Sequence, residues 1–324
     1  MAQAALRLGL IGAGDVVRRF FLPALAARPG YRVAAIASPG GGSAGALAAE
    51  HGIPAVCDSA EALIARADVD AVAVCTPPDT HRAIVAAALR ARKPVLVEKP
   101  VTTAAQDCAA LIATAARTKT VLYYTFNNRL REENRHLTER VLSDALGALD
   151  CIDVEWLRSK PVQDLAWRHD VRRAGGGVLA DLGSHLIMIA LGLVPARRRF
   201  SARCSLVRQD GDRRAPDDLA TAHIVIDGSL SLLLKTGWAM ALDQPAIVNL
   251  RAFGRAGMVT NRDYRGPTSD GYGAVLDRFA AHVRARRQPD LGIVADTMRL
   301  LEALYRAARS GRPVAGRFRG GGWD

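Results

Sequence analysis

Residues Leu6 to Leu25, LRLGLIGAGDVVRRFFLPAL, decide the fold. Leu6 to Ile11 is a short apolar run, Gly12-Ala13-Gly14 a turn, and Val16, Phe20, Leu22 and Leu25 recur at helical spacing. Strand, glycine turn and helix in this order form the opening unit of a parallel sheet. The two glycines permit a tight turn, and the helix start that follows offers free amides and a favourable dipole to an anion. Gly12, Ala13 and Gly14, with Asp15 and Val16 behind them, therefore read as the seat of a dinucleotide pyrophosphate. Val17 stands where the fingerprint's third small residue would be, which loosens the packing of helix on strand.

The pattern continues outward from this unit. Arg32 to Ala37 predicts a second strand ending at Ser38, where an acidic residue would bind the ribose hydroxyls of NAD and repel the phosphate of NADP. Ser38 and the glycine-rich Gly40 to Ser43 leave room for that phosphate, so the cofactor reads as NAD or NADP with a slight lean to NADP. Ala71 to Cys75 and Pro94 to Val97 predict further buried strands. Their carboxyl ends carry Thr76, Pro77 and His81, and Glu98, Lys99 and Pro100, and ligands bind at such ends in a doubly wound sheet. The first domain is expected over residues 1–124.

A second domain is expected over residues 125–315, with a disordered tail at 316–324. Ala148–Arg158, Phe200–Arg208, Ala220–Ile226, Ser229–Trp238, Ile247–Phe253 and Met258–Thr260 read as strands, with helices at Tyr272–Arg286 and Ile293–Ser310. The 324 residues suit two cores.

Composition narrows the function classes. Hydrophobic residues at 49% and charged at 23% indicate a globular chain, and no run of about 18 uninterrupted apolar residues calls for a membrane. With no secretory layout at Met1 to Leu10, a cytoplasmic location is expected. The net charge of +12 comes from scattered residues, five lysines among 44 basic side chains, so no nucleic-acid track is read from it. Five cysteines without a CxxC pair argue against a disulfide framework and against a metal site.

The chemistry is expected in AGGGVLADLGSHL, Ala174 to Leu186. Three consecutive glycines are expected to let a ligand approach the backbone. Asp181 and His185 stand at i and i+4, so a segment turning helical after Gly183 would project both from one side. Proton transfer is one reading; the other is that Ser184 or Asp181 caps a helix in which His185 is a core residue.

Taken together, GLIGAG at Gly9–Gly14, CTPPDTH at Cys75–His81, EKP at Glu98–Pro100, FNNR at Phe126–Arg129, WRHD at Trp167–Asp170 and GGGVLADLGSH at Gly175–His185 resemble the glucose-fructose oxidoreductase and inositol dehydrogenase family over nearly the whole chain. The resemblance implies a Rossmann domain followed by an α/β domain on a large, mainly antiparallel open sheet. The exposed face of that sheet would form a homodimer or homotetramer. It implies that Lys99, Asp181 and His185 converge on the nicotinamide with Trp167 and Arg168 nearby, that Asn127 joins the cofactor contacts, and that the peptide before Pro100 is cis.

The activity implied is hydride transfer between NAD(P) and a ring secondary alcohol or ketone of a sugar or cyclitol. His185 or Lys99 would be the base. Two alternatives are an NAD-dependent glycoside hydrolase working by transient oxidation, and a non-catalytic cofactor or sugar sensor. Ser38 departs from the acidic residue many members carry, Asn128 from a common arginine, and Met188 from an aspartate after the histidine.

Overall fold

The computed structural model describes residues 4–38, 42–159, 166–194, 198–208, 211, 214–240 and 244–320, which form two compact units. Unit one comprises Met1–Thr102, Gln106–Asn127 and Asp270–Pro289. Its strands are β1 (Leu6–Ile11), β2 (Tyr31–Ala37), β3 (Val56–Cys57), β4 (Ala71–Val74), β5 (Val95–Glu98) and β6 (Leu122–Thr125). They pair in the order β3-β2-β1-β4-β5-β6, every neighbour parallel.

The strands can be this short and this apolar because helices cover both faces. β4 reads AVAV and β5 VLVE, and all eight residues are buried, the signature of a sheet with no wet side. Strand order reverses between β1 and β4, so the crevice outside their carboxyl ends lies at Gly12–Gly14 and Thr76–Pro77.

The helix Tyr272–Ala285 belongs to this unit, not to the second domain in which the sequence places it. Tyr272 stacks on Phe20 with ring centroids 5.1 Å apart and meets Phe21 edge-on. Arg28 binds Asp277 through two bonds of 2.9 and 3.0 Å, and the Gln288 amide pairs with both backbone groups of Leu122. These contacts span more than 150 residues of chain, so local periodicity carries no trace of them.

Unit two comprises Thr103–Ala105, Asn128–Ser269 and Asp290–Asp324. It holds β7 (Leu149–Ser159), β8 (Arg199–Val207), β9 (Leu219–Ile226), β10 (Leu230–Met240), β11 (Ile247–Gly254), β12 (Gly257–Thr260) and β13 (Val314–Arg317), ordered β12-β11-β7-β10-β9-β8-β13. Only β7 and β10 run parallel among these neighbours. One sheet face packs on helices Ser184–Gly192 and Gly292–Ser310. Along β10 the other face carries Leu233 and Lys235 outward while Leu232 and Leu234 turn in, the period of two that a half-covered strand requires.

The chain end also departs from expectation. Residues 316–320 are ordered: β13 pairs with β8, Phe318 stacks on Phe200 at 4.5 Å, and the Asp296 carboxylate accepts from the amides of Arg319 and Gly320 at 3.1 and 2.7 Å. A glycine- and arginine-rich composition suggested disorder, but one buried phenyl ring and one buried carboxylate suffice to hold so short a strand. Residues 321–324 lie outside the described ones. The apolar stretch Val171–Gly192 has the length and hydropathy to cross a bilayer, yet 89% of its most apolar window is buried within the protein, as a core helix would be.

Candidate active site

In unit one the glycine turn is built as the sequence requires. Gly12 has φ +105°, and a Cβ there would lie 2.7 Å from the Cys75 carbonyl, so only glycine lets β1 end this close to β4. Its amide is spent on Ala37 O at 2.7 Å. Gly14 is different: a Cβ would meet nothing within 4 Å. Space stands open directly over the helix start, where the amides of Val17 and Arg18 bond the Gly14 carbonyl at 3.1 and 3.2 Å and those of Asp15 and Val16 precede the first intrahelical bond. The residues therefore fit a dinucleotide. Val17, the departure from the fingerprint, is wholly buried and begins a π-turn, Val17–Phe21.

At the ends of the neighbouring strands the expected residues divide by what they touch. Thr76 and Thr80 share a hydroxyl–hydroxyl bond of 2.7 Å that shapes the turn over Pro77. His81 is fully buried among the carbonyls of Thr76, Pro100 and Val101, at 2.8 to 3.2 Å, and burial holds its pKa below the ordinary value against their pull. It ties two loops together and presents no edge to solvent.

Glu98, at the end of β5, accepts the Lys99 amide on one oxygen at 2.9 Å and the Tyr272 hydroxyl on the other at 3.1 Å. The Lys99–Pro100 peptide is cis, as the resemblance implies. Asn127 donates its side-chain amide to Asp270 O at 2.7 Å. Beside Glu98 in register, Thr125 carries a fully buried hydroxyl without a protein partner. Ser38 is half-buried at the end of β2, while 40 and 41, within the Gly40–Ser43 stretch expected to offer amides to the phosphate, lie outside the described residues.

In unit two the helix bearing Asp181 and His185 starts earlier than expected, at Val178, and passes through a π-turn at Leu179–Gly183 into Ser184–Gly192. Neither Asp181 nor Ser184 caps it. Asp217 does: its carboxylate accepts from the amides of Gly177 at 3.0 Å and Leu179 at 2.8 Å, its carbonyl accepts from Val178 at 2.8 Å, and Tyr305 donates to it at 2.9 Å. Burial, and then the Asp217 carboxylate, push the Tyr305 phenol well above its usual range, so it stays a donor.

The three glycines are explained by this packing and not by ligand approach. A Cβ at Gly175 would press on the Thr103 backbone at 3.2 Å, one at Gly176 would overlap the Tyr305 hydroxyl, and one at Gly177 the Asp217 backbone. No spacing or motif points to Asp217 or Tyr305, which lie 40 and 128 residues from Gly177.

Asp181 and His185 share one side of the helix. Asp181 accepts from Arg168 at 3.4 Å, and that guanidinium lies 5.0 Å from the Trp167 ring centre. Trp167, Arg168 and Asp181 are thus brought together. His185, 3% exposed, packs its ring 5.7 Å from that of Trp156 on β7, a neighbour the sequence did not single out. Met188 sits in the core and accepts a long bond from Thr297 at 3.9 Å. Asp181 is thus partly exposed and His185 buried on this side of the helix.

A Rossmann sheet with an open cradle at its glycine turn, and a mixed sheet packed on the helix that bears Asp181 and His185, together define a two-domain oxidoreductase architecture. The chain belongs to the GFO/IDH/MocA oxidoreductase family: its NAD-binding Rossmann fold matches residues 6–126 and its C-terminal domain residues 134–260. A dTDP-3,4-didehydro-2,6-dideoxy-alpha-D-glucose 3-reductase of Streptomyces antibioticus is 34% identical over 192 residues, 59% of this chain and 57% of that protein. The enzyme of the same name from Actinomadura kijaniata is 30% identical over 265 residues, 81% and 73% of the two chains. The crystal structure of GenD2 from gentamicin A biosynthesis in complex with NAD shares the fold, with TM-score 0.85 over 97% of each chain at 23% identity.

The two kinds of glycine can be told apart by substitution. Gly177→Ala is expected to destabilise the protein by about 1 to 3 kcal/mol or more through overpacking on Asp217. Gly14→Ala should leave stability within about 0.5 kcal/mol and weaken NAD(P) binding. Denaturant melts and cofactor titration by fluorescence measure the two effects.

Proposed function

We propose that this protein is an NAD(P)-dependent oxidoreductase transferring hydride between the nicotinamide and a ring secondary alcohol or ketone of a sugar, cyclitol or derivative. The observation that carries this reading is the Asp181–His185 pair, four residues apart on a buried helix, with Arg168 bonded to the carboxylate. The names of the two relatives favour a keto sugar as substrate and reduction as the working direction.

The bound cofactor supplies the hydride-carrying ring, and the protein supplies position and proton control. In the alcohol-oxidising direction His185 takes the hydroxyl proton, for which an imidazole is suited near neutral pH. Lys99 steadies the charge on the substrate oxygen; the other assignment open to this pair makes Lys99 the base. Asp181, oriented by Arg168, accepts a hydrogen bond from the substrate hydroxyl. Gly12 to Val16 hold the pyrophosphate, and Thr76, Pro77, Glu98 and Asn127 line or shape the remainder of the cofactor site.

A dehydrogenase and reductase screen over sugars, cyclitols and nucleotide sugars, followed at the nicotinamide absorbance, tests the reading directly. Lys99→Ala and His185→Ala are each expected to lower turnover on the order of 10²-fold or more while retaining cofactor binding. Near wild-type turnover in either variant would remove that residue from its role.

For cofactor choice, Ser38 puts no carboxylate at the end of β2, so NADP is expected to be tolerated. Ser38→Asp should shift preference toward NAD by repelling the 2′-phosphate. A strong wild-type preference for NAD in parallel titrations, or no shift in the variant, would count against this reading of the loop.

A homodimer or homotetramer through the uncovered face of the second sheet completes the proposal. Its support is the set of apolar side chains that the second sheet exposes, Val207 on β8, Leu233 on β10 and Met258 on β12, at 51%, 41% and 54%. Analytical ultracentrifugation should find more than a monomer, and Leu233→Lys should shift the distribution toward monomer.

A further inference from the structure

The helix Tyr272–Ala285 brings to the end of β5 a side chain that neither the motifs nor the proposed chemistry assigns. Tyr272 is 6% exposed, clamped by Phe20 and Phe21, and its one polar atom reaches Glu98. Glu98 in turn holds, on its other oxygen, the backbone amide of Lys99. Tyrosine hydroxyl, carboxylate and lysine amide form a single chain of charge-assisted bonds, the stronger kind in a buried setting. Burial and then the neighbouring Glu98 carboxylate push the Tyr272 phenol well above its usual range, so it stays a donor.

We propose that Tyr272 is a positioning residue for Lys99: by fixing Glu98 it fixes the backbone from which the lysine amine projects. The physical need is plain. The lysine side chain has four rotatable carbons and carries its charge at the tip, so error at its backbone is passed to the amine in full. Lys99 also begins the loop that His81 pins through the carbonyls of Pro100 and Val101, and Glu98 holds the turn from its other side. The rings of Phe20 and Phe21 set the height of the phenol, and Glu98 converts that height into the position of the Lys99 amide. The proposal rests on the reading of Lys99 as a residue of the reaction, but the tether itself is testable without turnover.

The test is Tyr272→Phe, which keeps the ring between its aromatic neighbours and removes only the donor, with Glu98→Gln as the second variant. Acylation of each lysine in the cofactor-free protein is followed by peptide mass spectrometry. Lys93, bonded to the Arg66 and Val69 carbonyls elsewhere in the same unit, serves as the internal reference for general loosening. In both variants Lys99 should acylate about threefold to tenfold faster relative to Lys93, the factor that a net hydrogen bond commands.

Turnover of Tyr272→Phe at saturating substrate should fall by about tenfold or more, with its NAD(P) dissociation constants little changed. Unchanged relative labelling of Lys99 in Tyr272→Phe overturns the tether, and so does labelling that rises equally at Lys93. If labelling rises while Lys99→Ala keeps full turnover, the tether stands and the catalytic reading of Lys99 fails.

Discussion

The buried carboxylate of Asp217 is the interaction on which the second unit depends. A helix start leaves amides without acceptors, and inside a protein each one left bare costs on the order of 1 to 3 kcal/mol. Asp217 meets the amides of Gly177 and Leu179 with its two oxygens and that of Val178 with its carbonyl, while Tyr305 satisfies the carboxylate from outside. Nothing bulkier than glycine fits at 176 or 177 against these groups. The depth and direction of the helix are thereby set, and with them the places of Asp181 and His185. A residue to which the proposed chemistry gives no part thus decides where that chemistry would stand.

Unit one solves the same problem differently. Its glycine turn leaves open space at the helix start, the place at which an anionic group is favoured. The two turns look alike in sequence, each a cluster of glycines ahead of a helix, and they are opposites in function. At Gly14 the added methyl group meets nothing; at Gly177 it meets backbone. Open space over uncapped amides is a binding site, whereas filled space over capped ones is architecture. Both helices continue into a π-turn, Val17–Phe21 and Leu179–Gly183, a rare conformation that tends to accompany functional positions.

The proposed chemistry asks little of any one residue and much of their placement. Hydride transfer belongs to the cofactor, so the chain's contribution is to hold a proton acceptor, a cation and a carboxylate at fixed points in a dry setting. Arg168 restrains Asp181, Trp156 packs the face of His185, and Glu98 with Tyr272 steadies the turn at Lys99. Each reactive group is thus matched by a neighbour whose role is mechanical.

What the sequence determined is whatever local spacing encodes. Apolar runs of four to seven residues, each followed by a glycine or proline turn and a helical period, specify parallel strands buried on both faces, and β1, β2, β4 and β5 lie where that pattern puts them. Alternation over Ser229–Trp238 likewise specifies a half-covered strand, and the i, i+4 spacing of Asp181 and His185 places them on one helix side. The tertiary structure decided what depends on residues distant in the chain. Helix Tyr272–Ala285 joins the first unit because aromatic rings at Phe20 and Phe21 receive it. The ordered strand Val314–Arg317 exists because β8 offers an open edge and Phe200 a partner ring. The triple glycine owes its smallness to Asp217 and Tyr305. In each case the cause is a packing contact or a buried hydrogen bond closed across tens to hundreds of residues, and such contacts have no period for a sequence to display.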